Sequence, residues 1–299
     1  MRKVLVIGAD GQLGQCLKVQ PPVDLDIKFA NKLDLDLADR RSIRAAFDEI
    51  KPDYVVNCAA YTNVDGAESD RDLAANVNHF GVMDLANICA ERRVKVIHIS
   101  TDFVFDGKSR KPYHPDDICS PIGVYGQTKL LGEIALAQIM PEDTMIIRTS
   151  WLYSEFGSNF VKTMLRLFEA KESFRVVHNQ QGSPTYAMGL ASLIWHVLDT
   201  RQFSSGVFHW CDKGVTTWYD FANQIGTRAL SKGLISSKGA AFPILSSEYP
   251  TAAERPMYSA LYCYPTLKRY TKLRQLPWQD QLERMLNVLA DQRVANQLV

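Results

Sequence analysis

Arg2-Lys3-Val4-Leu5-Val6-Ile7, running directly into Gly8-Ala9-Asp10-Gly11-Gln12-Leu13-Gly14, opens the chain. The apolar run reads as a buried strand, and a strand followed by a glycine-rich turn and a helix start forms a phosphate site. Gly8 permits the tight turn, Gly11 lets backbone amides approach a pyrophosphate, and Gly14 allows close helix–strand packing. The amino end of the following helix favours negative charge. Gly8, Gly11, Gln12, Leu13 and Gly14 are therefore assigned to a dinucleotide. The spacing is G-x-x-G-x-x-G, not the commoner G-x-G-x-x-G, and a glycine-rich turn alone can be only a tight connection; its place after an apolar strand favours nucleotide binding.

Outward from that turn, apolar strands near 3–7, 26–30, 53–57, 94–99 and 144–148 alternate with helical patterns near 12–19, 40–50, 70–91 and 122–139. Such alternation predicts an α/β fold with a doubly wound, Rossmann-type parallel sheet. Past Trp151 the pattern loosens into helices near 159–170, 187–199, 216–231 and 279–292 and a strand near 174–178, which predicts a smaller α/β substrate-binding lobe. The expected division is residues 1–150 for the dinucleotide and 151–299 for the substrate, with segments near 180–205 returning to the first unit. Ser236 to Arg255, rich in Ser, Pro and small residues, reads as a loop that wraps the lobe.

Two further stretches carry chemistry. Val94-Lys95-Val96-Ile97-His98-Ile99 is an apolar strand ending in Ser100-Thr101-Asp102, and polar residues at the carboxyl end of such a strand face the ligand crevice of an open α/β sheet. Ser and Thr there also close turns. Val124-Tyr125-Gly126-Gln127-Thr128-Lys129 places Tyr125 and Lys129 four apart, on one helix face. An ammonium beside a phenol lowers the phenol's pKa by stabilising phenolate, so Tyr125 becomes a proton donor to an alkoxide. The Thr101 hydroxyl polarises the carbonyl that gains charge when hydride arrives. A packed ring beside a solvated amine is the plain alternative for the pair.

Turn, strand end and Tyr-x-x-x-Lys together resemble the extended short-chain dehydrogenase/reductases. Asn57-Cys58-Ala59-Ala60-Tyr61-Thr62-Asn63-Val64-Asp65-Gly66-Ala67-Glu68, Ser100 to Gly107, Arg148 to Tyr153, Asn159 to Met164 and Arg255-Pro256 resemble, within them, the dTDP-4-dehydrorhamnose reductase family. The resemblance runs nearly the full length. It implies NAD(P)H-dependent reduction of the C4 ketone of a dTDP-linked 4-keto-6-deoxyhexose, dTDP-4-dehydro-L-rhamnose, to dTDP-L-rhamnose. It implies Tyr125 as proton donor, Lys129 on the nicotinamide ribose, Thr101 at the ketone and Asp102 orienting sugar or cofactor. Asp36 and Leu37 are expected at the adenine, and Ala59, Ala60 and Tyr61 along the dinucleotide. Val64, Asp65, Phe103 and Trp151 are expected at the sugar, although Trp151 also reads as a core ring. Arg255 and Lys162 are candidates for the diphosphate, or else solvated cations.

Several positions depart from the family pattern. Phe103 replaces the usual Tyr and removes a hydroxyl from the sugar site. Cys16, Met188 and Val288 stand where some members carry metal-binding glutamates, so no metal site is expected and the chain is expected to be a monomer or a metal-independent homodimer. Tyr262 stands where Asn or Asp is usual. Two other readings remain: a related nucleotide-sugar 4-ketoreductase such as a dTDP-dihydrostreptose synthase, and a non-catalytic dinucleotide-binding subunit resembling the regulatory subunit of methionine adenosyltransferase. The intact set of Thr101, Tyr125 and Lys129 favours an enzyme.

After the second strand, Ile27-Lys28-Phe29-Ala30, come Asn31-Lys32 and no carboxylate. An acidic residue there selects NAD, whereas a cation accommodates the 2′-phosphate of NADP. Lys32 favours NADPH, with NADH tolerated; the alternative is an ordinary exposed lysine. A net charge of +1, with 46% hydrophobic and 22% charged residues, gives no general attraction to nucleic acid or membrane. The six cysteines lack C-x-x-C spacing and read as reduced thiols, and the six histidines lack metal-ligand spacing. With no signal-like segment and no run of spanning length, a cytoplasmic location is expected.

Overall fold

The computed structural model describes residues 1–170 and 173–297. In the amino-terminal half the elements are β1 (Arg2–Ile7), α1 (Gln12–Val19), β2 (Leu25–Ala30), α2 (Arg40–Ile50), β3 (Tyr54–Asn57), α3 (Gly66–Ser69), α4 (Arg71–Ala75), α5 (Gly81–Arg92), β4 (Lys95–Thr101), α6 (Val124–Ile139) and β5 (Thr144–Thr149). There follow β6 (Leu152–Tyr153), α7 (Phe160–Glu169), β7 (Phe174–Val177), β8 (Gln181–Gly182), β9 (Thr185–Tyr186), α8 (Ala187–Asp199), β10 (Gly206–His209), β11 (Thr216–Thr217), α9 (Trp218–Ser231), β12 (Ala241–Ile244), α10 (Tyr264–Arg269) and α11 (Trp278–Gln297).

One six-stranded sheet runs β2-β1-β3-β4-β5-β10, with every pairing parallel. Parallel strands covered on both faces need apolar side chains on both, and Val4 to Ile7 are all buried. On one face α1 and α8 supply Leu13, Leu17, Leu190, Ile194 and Trp195; on the other Ile43, Phe47, Leu85 and Leu136 come from α2, α5 and α6. A third core, with Phe168, Phe221, Ile225, Leu282 and Leu286, joins α7, α9 and α11 beyond the sheet. The carboxyl ends of β1, β3 and β4 open toward the loops that carry the expected site, as the parallel arrangement requires.

The strands and helices expected through residue 149 lie at their sequence positions to within about two residues, with one interruption. The single helix expected at 70–91 is instead α4 and α5 joined by a π turn at Asn76–Phe80. Besides the short elements α3, β6, β8, β9, β11 and α10, three features were not legible. β10 is a short run without alternation that extends the sheet beyond β5. The expected loop Ser236–Arg255 contains β12, parallel to β7, and a 3₁₀ turn at Ser246–Glu248. Pro243 inside β12 hides it, because a residue with no N–H reads against a strand and is tolerated only where the pairing is one-sided. The excursion from Phe105 to Gly123 folds over the sheet end, where Tyr113 bridges Leu261.

Candidate active site

The glycine turn is built by hydrogen bonds to its neighbours. Gly8 and Ala9 donate to Ala30 O at 3.0 and 3.1 Å, and Gly11 donates to Gly8 O at 3.1 Å. Gly8 has φ +80°, and a Cβ there would lie 2.6 Å from Ala59 N, so the turn sits directly on the loop after β3. A Cβ on Gly14 would meet Gly8 O at 2.4 Å, whereas one on Gly11 meets only Gly8 O at 3.3 Å and otherwise open space. That opening, with the first amides of α1 beside it lacking intrahelical acceptors, fits a pyrophosphate. The Gln12 side chain is engaged elsewhere: its Oε1 accepts from Ser154 Oγ at 3.1 Å and Asn159 Nδ2 at 2.9 Å, pinning α1 to the loop after β6.

At the end of β4 the Thr101 hydroxyl donates to Asp102 Oδ1 at 3.2 Å and accepts from Phe103 N at 3.2 Å. Asp102 is buried, and its Oδ2 has no partner. Burial pushes its carboxyl up to about 7. A Cβ on Gly126 would meet Phe103 O at 2.2 Å, so this glycine lets α6 press against the turn after β4. Tyr125 thereby stands beside Thr101, with the Phe103 ring edge-on to its own at 5.6 Å.

The charge relation within the pair differs from the expectation. Lys129 is 2% exposed, and its Nζ donates to Ile99 O at 2.7 Å and lies 3.3 Å from His98 Nε2; these two contacts, and not the phenol, take up its amino group. Burial pushes Tyr125 up to about 12, opposed by the Thr101 hydroxyl and reinforced by Asp102. Burial likewise pulls Lys129 down to about 8 against Glu133 and Cys58. A phenol that retains its proton at neutral pH is a donor, which is what reduction of a ketone requires.

Four supporting residues escaped sequence reasoning. Glu68 Oε1 accepts Val124 N at 2.8 Å and caps α6, whose N-cap Gly123 has no side chain to do so. Asn78, held inward by the π turn, accepts Tyr61 N at 2.9 Å, donates to Tyr61 O at 3.1 Å and to Thr128 Oγ1 at 3.2 Å. It joins the Tyr61 loop to the turn of helix between Tyr125 and Lys129. Glu133 receives Arg148 Nη2 at 2.6 Å and Nε at 3.0 Å, and Ser100 Oγ donates to it. Glu68, Ser100 and Arg148 lie within the segments that carry the family resemblance, though without a role of their own; for Asn78 and Glu133 the only sequence signal was a polar residue at an apolar helix position.

The expected substrate residues form two groups. Asp65 and Arg255 bind each other, Nη2 to Oδ2 at 2.7 Å and Nη1 to Oδ1 at 3.2 Å, and Asp65 also accepts Ala253 N at 3.1 Å. The guanidinium holds the Asp65 carboxyl below its usual range. A cleft of about 470 Å³ lies alongside, lined in part by Gln180, Ala253, Arg255 and Met257. Val64, one residue before Asp65, is half-buried. Trp151, with φ +46°, stacks on Trp218 at 3.4 Å and 8°, and a Cβ on Gly182 would meet its indole at 2.6 Å. Neither indole is fully buried, and Trp218 was not singled out in the sequence. Lys162 Nζ donates to Glu155 O at 2.8 Å and Gly157 O at 3.0 Å. Lys32 is exposed and 3.9 Å from Asp36, while Leu37 is buried. Among the described residues no group of three or more His, Cys, Asp or Glu could hold a metal ion.

A doubly wound sheet with this glycine turn, a hydroxyl at the end of β4 and a Tyr-x-x-x-Lys helix defines a Rossmann-type NAD(P)-binding reductase. The family described as "RmlD substrate binding domain" matches residues 1–291. A dTDP-4-dehydrorhamnose reductase of Sinorhizobium fredii is 37% identical over 289 residues, covering 95% of this chain and 96% of its own. A dTDP-4-keto-6-deoxy-D-glucose reductase of Streptomyces niveus is 40% identical over 258 residues, 86% and 87% of the two chains. The crystal structure of the Bacillus anthracis dTDP-4-dehydrorhamnose reductase in complex with NADP superposes with a TM-score of 0.87 at 36% identity, covering 95% of this chain and 99% of that one. The chain belongs to the RmlD family, that of the dTDP-4-dehydrorhamnose reductases.

Proposed function

We propose that the chain reduces the C4 ketone of dTDP-4-dehydro-L-rhamnose to dTDP-L-rhamnose. The observation that carries this reading is the placement of Thr101 and Tyr125 side by side at the end of β4, beyond the glycine turn, in a chain of this family. NADPH is the preferred cofactor, with NADH accepted; when bound it supplies the hydride. Backbone amides of Gln12 and Leu13, beside the open space left at Gly11, bind its pyrophosphate, Lys129 its nicotinamide ribose, and Ala59, Ala60 and Tyr61 the span between. Lys32 takes the 2′-phosphate, for which its exposure and long contact to Asp36 leave it free. Thr101 turns its one hydroxyl hydrogen from Asp102 to the substrate oxygen as charge develops there, and Tyr125 gives up its phenolic proton to that oxygen. Asp102 orients Thr101. Trp151, Val64 and Phe103 bound the hexose, and Arg255 serves the diphosphate after exchanging Asp65 for it.

In this reading residues 1–150 hold the dinucleotide and 151–299 the sugar nucleotide, while α8 and β10, packed on α1 and β5, return to the first unit. The reaction belongs in the cytoplasm, where reduced dinucleotide is supplied, and among the described residues no helix is long and apolar enough to cross a membrane. A second reading, reduction of a different dTDP-4-keto-6-deoxyhexose, is favoured by Phe103 and by the likeness to the Streptomyces niveus protein. The test is loss of reduced-nicotinamide absorbance with enzymatically prepared dTDP-4-dehydrorhamnose, followed by chromatography for dTDP-rhamnose. Formation of that product supports the first reading. Turnover only with an epimeric keto sugar moves the assignment to the second.

A further inference from the structure

His98 lies on β4, wholly buried, between the end of β3 and α6. Its Nδ1 is 3.1 Å from Asn57 Nδ2 and its Nε2 is 3.3 Å from Lys129 Nζ. The Asn57 carboxamide has only one orientation that serves its neighbours: Oδ1 accepts Ala59 N at 3.1 Å, which turns the NH₂ group to the ring. An amide NH₂ only donates, so Nδ1 must be the bare nitrogen. A neutral imidazole carries one hydrogen, which is then at Nε2 and points at Lys129.

The lysine decides what that contact can be. Lys129 also donates to Ile99 O at 2.7 Å. An ammonium has three donors and no acceptor, so it would meet the ring N–H donor to donor. An amine has a lone pair for His98 and a hydrogen for Ile99. The imidazole does not resolve the conflict by charging, since burial first and Lys129 second hold His98 well below its usual pKa. Of the other titratable groups facing Lys129, Cys58 after β3 is a thiol pushed up to about 12 by burial, and Glu133 on α6 is taken up by Arg148 on β5.

We propose that His98, with its tautomer set by Asn57, is the positioning residue of Lys129: its Nε2–H faces the lysine, can pair only with the amine, and so lowers the proton affinity of Lys129. Because Asn57 is oriented by the Ala59 amide, in the loop on which the glycine turn rests, the proton affinity of Lys129 is tied to the geometry of the dinucleotide loop. This rests on the assignment of Lys129 to the catalytic pair, but the measurements that test it use neither substrate nor turnover.

Two-bond ¹H–¹⁵N spectra of the histidine rings in the dinucleotide-free protein, with His98 identified by the signal lost in His98→Gln, read the tautomer directly. The expected pattern is a bare Nδ1 and a protonated Nε2 that does not change over the pH range in which free imidazole titrates. The opposite tautomer, or a ring that titrates there, overturns the proposal. In Asn57→Asp the introduced carboxylate can only accept, so the ring hydrogen moves to Nδ1 and a lone pair faces Lys129. The lysine midpoint, followed through its ¹³Cε signal and assigned with Lys129→Met, then rises by about one unit, tenfold in proton affinity, or more. The new charge also acts through space, so the same substitution is made in His98→Phe, where only that smaller part remains. Equal rises in both backgrounds overturn the coupling. If either variant does not fold, the tautomer of the parent protein decides alone. A failed reductase assay leaves these readings intact, and a wrong tautomer leaves the reductase reading intact.

Discussion

Tyr125 keeps its proton because burial disfavours phenolate more than any neighbour favours it. Tyr125→Phe removes that proton and little else, so turnover is expected to fall by about 10² or more while dinucleotide affinity, measured by fluorescence titration, stays within about twofold. Parent-rate turnover in that variant would sink the assignment. Asp102 gives a second prediction with a sign. Its folded pKa, about 7, is above its unfolded value, so the native state holds a proton that the unfolded chain has already lost. Stability from this site is present below the unfolded pKa and is lost as pH rises toward and through about 7. Asp102→Asn escapes that loss. Its melting temperature relative to the parent is expected to climb as pH is raised from about 4 to about 7 and then to level off. A difference that is flat with pH would show that Asp102 titrates normally.

Helix α6 carries the catalytic pair, and its position is set at its start and in its middle by side-chain contacts with other segments. Gly123 leaves its first amides uncapped, and Glu68 supplies the missing acceptor with a charge of the sign the helix start favours. One turn past Lys129, Glu133 ties the helix to β4 and β5 through Ser100 and Arg148, both buried. Removing Glu133 strands a buried guanidinium. Glu133→Ala is therefore expected to cost about 3–5 kcal/mol in urea unfolding, far more than Glu68→Ala, expected at about 1 kcal/mol. Similar costs for the two would mean that Arg148 finds water or another partner when Glu133 is gone.

Across the whole molecule, the Asp65–Arg255 pair joins the loop after β3 to a segment 190 residues later and brings the late loop to the catalytic end of the sheet. Both side chains are partly exposed, so the pair contributes little stability, roughly 0–1 kcal/mol. Its role in the reading above is at the sugar nucleotide. Arg255→Met is expected to shift the urea midpoint little, to raise KM for the sugar nucleotide about tenfold and to leave that for NADPH near the parent value. Equal increases in both KM values would place Arg255 outside the substrate site. The stacked indoles of Trp151 and Trp218 are likewise a product of the assembled lobe: Trp151 is held at a positive φ between Gly182 and a helix start more than sixty residues away.

Local pattern determined a good deal of this protein. The strand–turn–helix at residues 2–19 announced a dinucleotide fold, because a parallel strand buried on both faces must be apolar throughout and a phosphate turn needs glycine at fixed places. The spacing of Tyr125 and Lys129 announced a shared helix face, since 3.6 residues make a turn. Only the tertiary structure decided what those side chains meet. Lys129 faces His98 and Ile99 and not the phenol; Asp65 and Arg255 face each other; Lys162 caps carbonyls; β12 forms around a proline because β7 lies beside it. Periodicity is a property of neighbours along the chain, whereas protonation and pairing depend on burial and on charges that arrive from distant segments, and those exist only once the chain has folded.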